Sequence, residues 1–260
     1  NMIRSGVKEG KIELKAACDG VFLVDSARLV AVNSQDEVMI ATRKGGTAVR
    51  EGDKLAGMRV IPLIIEEEKL RKAEQAAGDK PLLSLKPYVR KTACIVATGG
   101  EVKKGLIKDT FTPVVIDKLK TYGIETLEVV YSGDGVENVR DAVLAMREKK
   151  PDMILCTGGM SVDPDDNTPG GIKAAGANII AYGAPVLPGA MFLVSYLDGV
   201  PVCGLPGCVM YAKRTIFDLL LPRLLADDPI TAEDIARLGE GGLCLNCEVC
   251  HWPNCGFGHC

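Results

Sequence analysis

The sequence predicts an α/β fold, in which a mostly parallel, doubly wound sheet is preceded by a small β domain. From Ala93 onward, short apolar runs alternate with segments of helical period, which is the order that places helices on both faces of a parallel sheet. Before that point, short strand signals are separated by glycine turns, as in a small antiparallel domain. With 260 residues, of which 47% are apolar, the chain is long enough to form one core and a second, smaller one.

The small β domain is predicted to span residues 11–66. Ile12–Leu14 alternates between apolar and polar side chains, and later apolar runs are separated by turn signals such as Gly45-Gly46. Residues 67–90 follow as a charged helix and a linker that contains prolines. We expect a structural or dimer-forming role for this domain, because no lysine stands at a convincing hairpin tip for lipoylation.

The α/β domain is predicted to span residues 91–228. One helix begins near Thr112-Pro113, another follows Gly135, and an apolar helix covers 207–225 with Pro222 near its end. Each strand runs directly into a polar or glycine-rich turn. The predicted strands are 94–97, 126–131, 153–156, 178–182, 192–197 and 201–205.

In a sheet of this kind, ligands bind beyond the carboxyl ends of the strands. This rule places several polar and glycine residues along one edge without reference to any family. They are Gly99, Glu101, Asp134, Thr157 to Gly159 and Gly204 to Gly207.

Residues 154–169, ILCTGGMSVDPDDNTP, form the most informative stretch. They predict a strand, a glycine turn, an acidic loop and a helix with Thr168 as N-cap and Pro169 at its first position. Glycines let backbone N–H groups approach a phosphate. Asp163, Asp165 and Asp166 would repel a bare phosphate, so we expect a bridging Mg²⁺ or contacts to a ligand hydroxyl or ring N–H. The alternative is a surface loop in which glycine and aspartate serve only the turn.

Three of these turns resemble those of the molybdopterin-binding family, whose members adenylylate molybdopterin or insert molybdate. The residues that carry the resemblance are TGGMSVDPDDNTP at 157–169, Thr98-Gly99-Gly100-Glu101 with Lys108-Asp109-Thr110, and Gly204-Leu205-Pro206-Gly207. The resemblance covers roughly 91–228 and implies the molybdopterin-binding fold. The chain is most similar to a bacterial subgroup that adds an upstream β segment and a cysteine-rich tail.

The resemblance implies a role in molybdenum cofactor biosynthesis with a phosphorylated pterin, molybdopterin, as ligand. It implies that Asp166, Asp109 and Glu101 are catalytic, acting by positioning and with Mg²⁺ rather than as general acids or bases. Carboxylates that converge on one edge also repel one another unless a cation is present. The pterin-binding residues implied are Thr98, Gly99, Gly100, Asp134, Thr157, Gly158, Gly159, Ser161, Asp163, Pro188, Gly189, Gly204, Pro206 and Gly207.

The chain departs from the molybdate-inserting enzymes at two places. Their Lys-Pro-Gly-Lys segment corresponds to Leu187-Pro188-Gly189-Ala190, so two anion-seeking lysines are missing. Their Gly-Asn-Pro end is replaced by Gly207-Cys208-Val209, where Cys208 is a soft metal ligand or a packing residue. The second hypothesis is therefore a protein that binds the pterin without transferring molybdate, either a carrier or a redox or metal sensor. The third hypothesis is a nucleotide phosphohydrolase on the same fold.

The segment 229–260 is predicted to be a metal-binding tail. Cys244, Cys247 and Cys250 are each separated by two residues, which resembles Fe–S ligand spacing, and the tail cysteines equally suit a structural zinc ion. Both histidines of the chain, His251 and His259, also lie there. A haem-attachment pattern and an unstructured or oxidised tail are the alternatives. The predicted metal ligands are Cys244, Cys247, Cys250, Cys255 and Cys260, whereas Cys18, Cys94, Cys156 and Cys203 fall in apolar stretches and are expected to pack as small hydrophobes.

The composition of the chain limits the kinds of partner and the compartment that we expect for it. A net charge of −3 and an aromatic content of 5% argue against nucleic acid. Residues 174–197 carry no charge, but glycine and proline interrupt them, so we expect no membrane span. Ten cysteines without a visible secretion signal indicate a reducing compartment, the cytoplasm. The family resemblance implies a homo-oligomer, a dimer or a trimer.

Overall fold

A computed structural model describes residues 1–62, 64–161 and 166–258. The chain divides into two compact units, one formed by residues 1–89 with 225–228 and the other by 90–224 with 229–260. Within the described ranges, every helix is too short or too polar to cross a lipid bilayer.

The first unit is a small antiparallel β region with two sheets and two helices. Phe22, Leu55 and Leu85 are buried at the centre of its core. Helices α1 (Ser26–Asn33) and α2 (Glu67–Ala77) pack against each other. One sheet has the order β1 (Met2–Arg4), β2 (Lys11–Ala16), β6 (Lys54–Val60), β4 (Val38–Thr42), and the other β5 (Thr47–Val49), β3 (Gly20–Val24), β7 (Leu83–Pro87).

Two elements of this unit differ from the sequence prediction. Helix α1 lies inside the segment interpreted as strands alone, and it begins where Asp25 accepts a hydrogen bond from the backbone N–H of Arg28 at 3.0 Å. Strand β7 lies inside the segment interpreted as a linker, and it pairs with β3 from Val24 to Gly20. The domain boundaries as predicted, 11–66 and 67–90, stay a prediction.

The second unit has a six-stranded sheet that confirms the predicted α/β class. β8, β9, β10 and β13 run parallel, whereas β12 is antiparallel to both of its neighbours. The sheet has the order β11 (Asn178–Tyr182), β12 (Leu193–Leu197), β13 (Val200–Leu205), β10 (Met153–Thr157), β8 (Thr92–Thr98), β9 (Glu125–Ser132).

Helices alternate with these strands. They are α3 (Gly100–Lys103), α4 (Phe111–Lys120), α5 (Val136–Glu148), α6 (Thr168–Ala174), a 3-10 helix (Gly207–Met210), α7 (Ile216–Leu225) and α8 (Ala232–Arg237). One sheet face is covered by α5 and α6, where Val143 and Ile172 share a buried cluster with Cys94 and Cys156. This cluster confirms those two cysteines as packing residues. Side chains alternate along a strand, so the fully buried Ile95 lies on the opposite face.

Two predicted helix boundaries were wrong. The helix expected over 207–225 is interrupted between Met210 and Ile216, because the Asp218 carboxylate accepts the backbone N–H of Thr215 at 2.8 Å and starts a new helix. Thr168 is the first residue of α6 rather than its N-cap, which is Asn167. The Thr168 hydroxyl is therefore available for a contact outside its own helix.

Candidate functional site

The parallel strands place four turns at one edge of the sheet. Thr98 at the end of β8 pairs with Ser132 at the end of β9, and Thr157 at the end of β10 pairs with Leu205 at the end of β13. β11 runs in the same direction, so the loop between β11 and β12 also lies at this edge. We call this edge the rim, defined as residues 98–112, 132–135, 157–161, 166–168, 183–190 and 205–210. The convergence predicted from the strand ends is thus present.

The centre of the rim is a hydrogen-bonded contact between two threonines. The hydroxyl of Thr98 donates to the carbonyl of Thr157 at 2.9 Å, and the hydroxyl of Thr168 donates to the carbonyl of Gly158 at 2.8 Å. The two hydroxyl oxygens are 3.1 Å apart. The turn after β8, the turn after β10 and the start of α6 are thereby joined into one unit.

The two glycines of the central turn are required by this contact. Gly158 and Gly159 have φ values of +82° and +54°, a region that favours glycine. A Cβ on Gly158 would meet the backbone and the hydroxyl of Thr98, and a Cβ on Gly159 would lie 2.7 Å from the hydroxyl of Thr168. The sequence predicted glycine here for the approach of a ligand. The structure adds that Thr98 occupies the space of a side chain at 158, and that Thr168 at the start of α6 occupies the space of one at 159.

Three of the predicted acidic residues hold the rim loops through backbone N–H groups. Asp134 accepts the N–H of Gly100 at 2.8 Å. Asp166 accepts the N–H of Ser161 at 2.7 Å. Asp109, which precedes the N-cap residue Thr110, accepts the first two N–H groups of α4, those of Phe111 and Thr112, at 2.9 and 3.0 Å. Each carboxylate therefore fixes a loop with one of its two oxygens. The second oxygen of Asp109 is buried.

Asp109 stands in an environment that favours its charged form. Burial raises the pKa of its carboxyl, but hydrogen bonds from Thr112 and Phe111 outweigh burial and leave the pKa below its usual value. Tyr131 lies beside it near the end of β9, and burial together with the Asp109 charge raises the pKa of the Tyr131 hydroxyl. A protonated phenol next to a carboxylate thus borders the rim.

Asp166 also has a tyrosine neighbour. Burial, followed by the charge of Asp166, raises the pKa of Tyr182 at the end of β11. This places the β11 end near the acidic loop. Sequence reasoning passed over Tyr131 and Tyr182, although their positions at the carboxyl ends of predicted strands were a signal that could have identified them.

The other predicted site residues reach the rim in different ways. Gly189, with φ +130°, is packed against Ile216, and Gly204 is packed against Met160. Pro206 is buried, whereas Gly207 is exposed with open space around it. Three further predicted site residues are exposed, namely Glu101 in the first turn of α3, Asp134 and Ser161. Asp163 and Cys260 lie outside the described residues.

The acidic rim residues do not by themselves make a metal cage. Within residues 1–62, 64–161 and 166–258, no three histidine, cysteine, aspartate or glutamate side chains gather closely enough to hold a metal ion. Cys208, beside the last rim turn, is half-buried, and burial raises the pKa of its thiol. A thiol that stays protonated fits a packing role better than a ligand role.

The cysteine-rich tail lies against the rim loop. A cavity of about 720 Å³ is bordered by Pro188 of the rim, by Lys213, Arg214 and Trp252, and by four tail cysteines. The cysteines are Cys244, Cys247, Cys250 and Cys255. The Arg214 guanidinium lies 4.4 Å from the centre of the Trp252 ring. This docking was not foreseen from the sequence.

Comparison with known proteins matches the second unit. Residues 94–226, just over half of the chain, fit the family model of the probable molybdopterin binding domain. A CinA-like protein of Mycobacterium tuberculosis (strain ATCC 25177 / H37Ra) is 33% identical over 76 residues, which are 29% of this chain and 18% of that protein. The CinA-like protein of Petrotoga mobilis is 32% identical over 76 residues, 29% of this chain and 19% of that protein. The aligned part is thus about a fifth of the length of these relatives.

Two solved structures are similar in fold. CinA from Thermoplasma acidophilum, a protein with unknown function, has a TM-score of 0.45 at 17% identity, covering 52% of this chain and 98% of that one. The molybdopterin biosynthesis MoeA protein from Pyrococcus horikosii has a TM-score of 0.43 at 16% identity, covering 88% of this chain and 72% of that one.

Proposed function

Because this chain belongs to the family of probable molybdopterin-binding domains, we propose that it binds a phosphorylated pterin at the rim and acts in molybdenum cofactor biosynthesis. The observation that supports this most is the joining of the two glycine turns through Thr98 and Thr168. The two glycine turns thereby lie side by side, and backbone N–H groups at such turns suit a phosphate.

The remaining rim residues divide between the two parts of such a ligand. In this proposal the turn amides of Gly158 and Gly159 face the phosphate end. Gly99 and Gly100 border it, because their own N–H groups donate to Ser132 and Asp134. Exposed carboxylates on the rim, Asp134 above all, accept the ring N–H groups of a pterin. Pro188, Gly204, Pro206 and Gly207, with Thr157 and Ser161, border the same ligand in this proposal. The carboxylates on the rim would repel a phosphate on their own, so we expect a cation between them and the ligand. These carboxylates are Glu101, Asp109, Asp134 and Asp166.

We propose Mg²⁺ as that cation. Mg²⁺ is usually held by one or two carboxylates together with phosphate oxygens and water, rather than by a complete protein cage. The absence of a three-residue cluster among the described side chains is compatible with this arrangement. Asp166 and Asp109 would supply the protein oxygens, with Glu101 on the exposed side. A bound Mg²⁺ would supply charge neutralisation for the phosphate, while the protein residues orient the ligand.

The reaction that we propose is molybdate insertion or the handling of adenylylated molybdopterin. A binding role without catalysis is the second candidate, and one observation favours it. Leu187 and Ala190 flank the rim residues Pro188 and Gly189, at the positions where the molybdate-inserting enzymes are expected to carry lysines. Without these cations, an oxyanion has fewer charged partners at this loop.

We propose that the tail cysteines hold an Fe–S cluster or zinc. We also propose that the protein is a homo-oligomer, a dimer or a trimer, in the cytoplasm. Light scattering of the purified chain measures the oligomeric state, because the mass of 27.7 kDa per chain separates a monomer from either oligomer.

The proposal is tested by titrating the reduced protein with molybdopterin under anaerobic conditions and following the pterin fluorescence. Asp166→Asn is expected to weaken binding at least tenfold, corresponding to about 1.4 kcal/mol. Asp141→Asn, the same change on the exposed side of α5, is the matched control. Binding that is unaffected by Asp166→Asn, or no binding at all, contradicts the proposal.

Turnover separates the two roles. Wild-type protein incubated with adenylylated molybdopterin, molybdate and Mg²⁺ is expected to release AMP if it inserts molybdate. Binding without release of AMP favours the carrier. Release of phosphate or pyrophosphate from ordinary nucleotides would instead indicate a phosphohydrolase.

A further inference from the structure

The tail brings four thiols around one cavity. Cys244, Cys247, Cys250 and Cys255 all border it, and all are free. Cys247 and Cys250 are exposed, while Cys244 and Cys255 are half-buried. Four thiolates are the complete ligand set of a tetrahedral structural zinc site. The cavity therefore has the donor chemistry of a site for a soft divalent cation.

The cavity lining carries charges of both signs. Four thiolates and one divalent cation carry a net charge of about −2. Lys213, Arg214 and Glu248 border the same cavity, and the Arg214 guanidinium also pairs with the Asp218 carboxylate at 3.0 Å. Lys213 is already held there, because its ammonium group donates to the carbonyl of Glu248 at 3.0 Å.

The tail is tied to the rim by backbone hydrogen bonds. The N–H of Leu187 donates to the carbonyl of Gly242 at 2.8 Å, and the N–H of Cys244 donates to the carbonyl of Leu187 at 2.8 Å. These bonds form a parallel bridge between Leu187 and Leu243. The next rim residue, Pro188, accepts the N–H of Ile216 at 3.3 Å. The first cysteine of the cluster is thus bonded directly to the loop that precedes Pro188 and Gly189.

The cysteines surround the cavity without being gathered at one point. No three potential ligands among residues 166–258 stand at a distance that would hold a metal ion. Residues 246–250 belong to no helix or strand, so they can approach the cavity without breaking an element. A metal ion held by all four cysteines would draw this segment inward, and the hydrogen bond from Cys244 to Leu187 connects the segment to the rim.

We propose that the four cysteines bind one thiophilic divalent metal ion, and that this binding fixes the rim loop Leu187–Gly189 through the Leu187–Cys244 pairing. Each thiol releases its proton as it binds the ion. Any effect of the fixed loop on pterin affinity rests on the proposed function. The metal binding and the fixing of the loop do not rest on it.

The test uses Co²⁺ as probe on the full, reduced chain under anaerobic conditions. We expect one equivalent to give a thiolate-to-cobalt absorption band, and Zn²⁺ to displace it. Cys247→Ser and Cys250→Ser are each expected to weaken cobalt binding by more than about 100-fold. Loss of a residue that only hydrogen-bonds to a metal ligand already costs roughly 10- to 100-fold. Cys18→Ser, a half-buried cysteine of the first unit, is the matched control.

Hydrogen exchange measures the second half of the proposal without pterin. With metal, amides in a peptide that contains Leu187 are expected to exchange about tenfold more slowly, while peptides of β4 and β6 are unchanged. No cobalt band, or a band that survives both serine variants, overturns the metal site. A band without slower exchange at Leu187 overturns the coupling. Both outcomes can be told apart from a failure to bind pterin, because no pterin is present.

Discussion

The hydroxyl oxygens of Thr98 and Thr168 lie 3.1 Å apart, although 70 positions separate the two residues in the sequence. Each hydroxyl carries one proton, and together they make three short contacts: to Thr157, to Gly158 and to each other. Because two protons can serve only two of these three contacts at a time, the contacts of one hydroxyl depend on those of the other. The two side chains therefore form one coupled unit.

A double-mutant cycle tests this unit. We expect Thr98→Val and Thr168→Val each to lower the free energy of unfolding by about 1–2 kcal/mol, since each removes a buried hydrogen bond. The double variant is expected to lose less than the sum, by about 0.5–1 kcal/mol, because the first substitution already breaks the shared contact. Urea unfolding measures these values. Thr121→Val, at an exposed threonine bonded only to its own helix, serves as control, and strict additivity would refute the coupling.

Glycine substitutions distinguish packing from ligand approach. Gly158→Ala places a methyl group against Thr98 at a φ of +82°, so we expect a loss of at least about 1–3 kcal/mol in unfolding free energy. Gly207→Ala meets nothing within 4 Å and is expected to stay within about 0.5 kcal/mol of wild type. Thermal unfolding compares the two. Equal stability of both variants would show that the turns do not pack as described.

The low pKa of Asp109 predicts a pH dependence. A carboxyl whose pKa is lowered by folding stabilises the protein above its unfolded pKa, and this stability is lost as the pH falls through the lower, folded value. We expect Asp109→Asn to cost about 0.5–2 kcal/mol at pH 7, as for a lost helix cap, and to cost less as the pH falls below about 4. Asp117→Asn, exposed on the same helix, is the control. A cost that is constant from pH 7 to pH 3 would argue against a charged cap.

The single tryptophan of the chain reports on the tail. Trp252 packs against Arg214, so Arg214→Ala is expected to shift its emission to longer wavelength and to increase quenching by acrylamide. The lost cation–π contact is worth about 0.5–2 kcal/mol of docking. Arg140→Ala, on the exposed side of α5, should leave the spectrum unchanged. An unaltered spectrum in the Arg214 variant would mean that the tail does not dock there in solution.

Local signals in the sequence were enough to predict the second unit. Each apolar run of four to six residues ended in a glycine or polar turn, so strand positions and the rim followed from one rule. Helix α1 was missed because it is short and its valines also suit a strand, while the start signal at Asp25 was a single residue. The end of the last predicted helix was wrong because Asp218 and Thr215 start a new helix within an apolar run.

What the sequence could not predict depends on contacts between distant segments. Thr168 precedes a proline, and this pattern predicted an N-cap. In the structure its hydroxyl instead donates to the carbonyl of Gly158, ten positions earlier in the chain. The pairing of Leu187 with Cys244 joins two loops that have no periodic pattern. The reason for Gly204 was likewise hidden, since Met160 comes from a different loop.

Hydrogen exchange of the wild-type chain with and without molybdopterin tests the central claim most directly. We predict slower exchange in peptides that cover 98–112, 157–161 and 205–210, with no change in β4 and β6 of the first unit. Protection confined to the first unit, or an unchanged rim at saturating pterin, would contradict the assignment of the rim as the binding site.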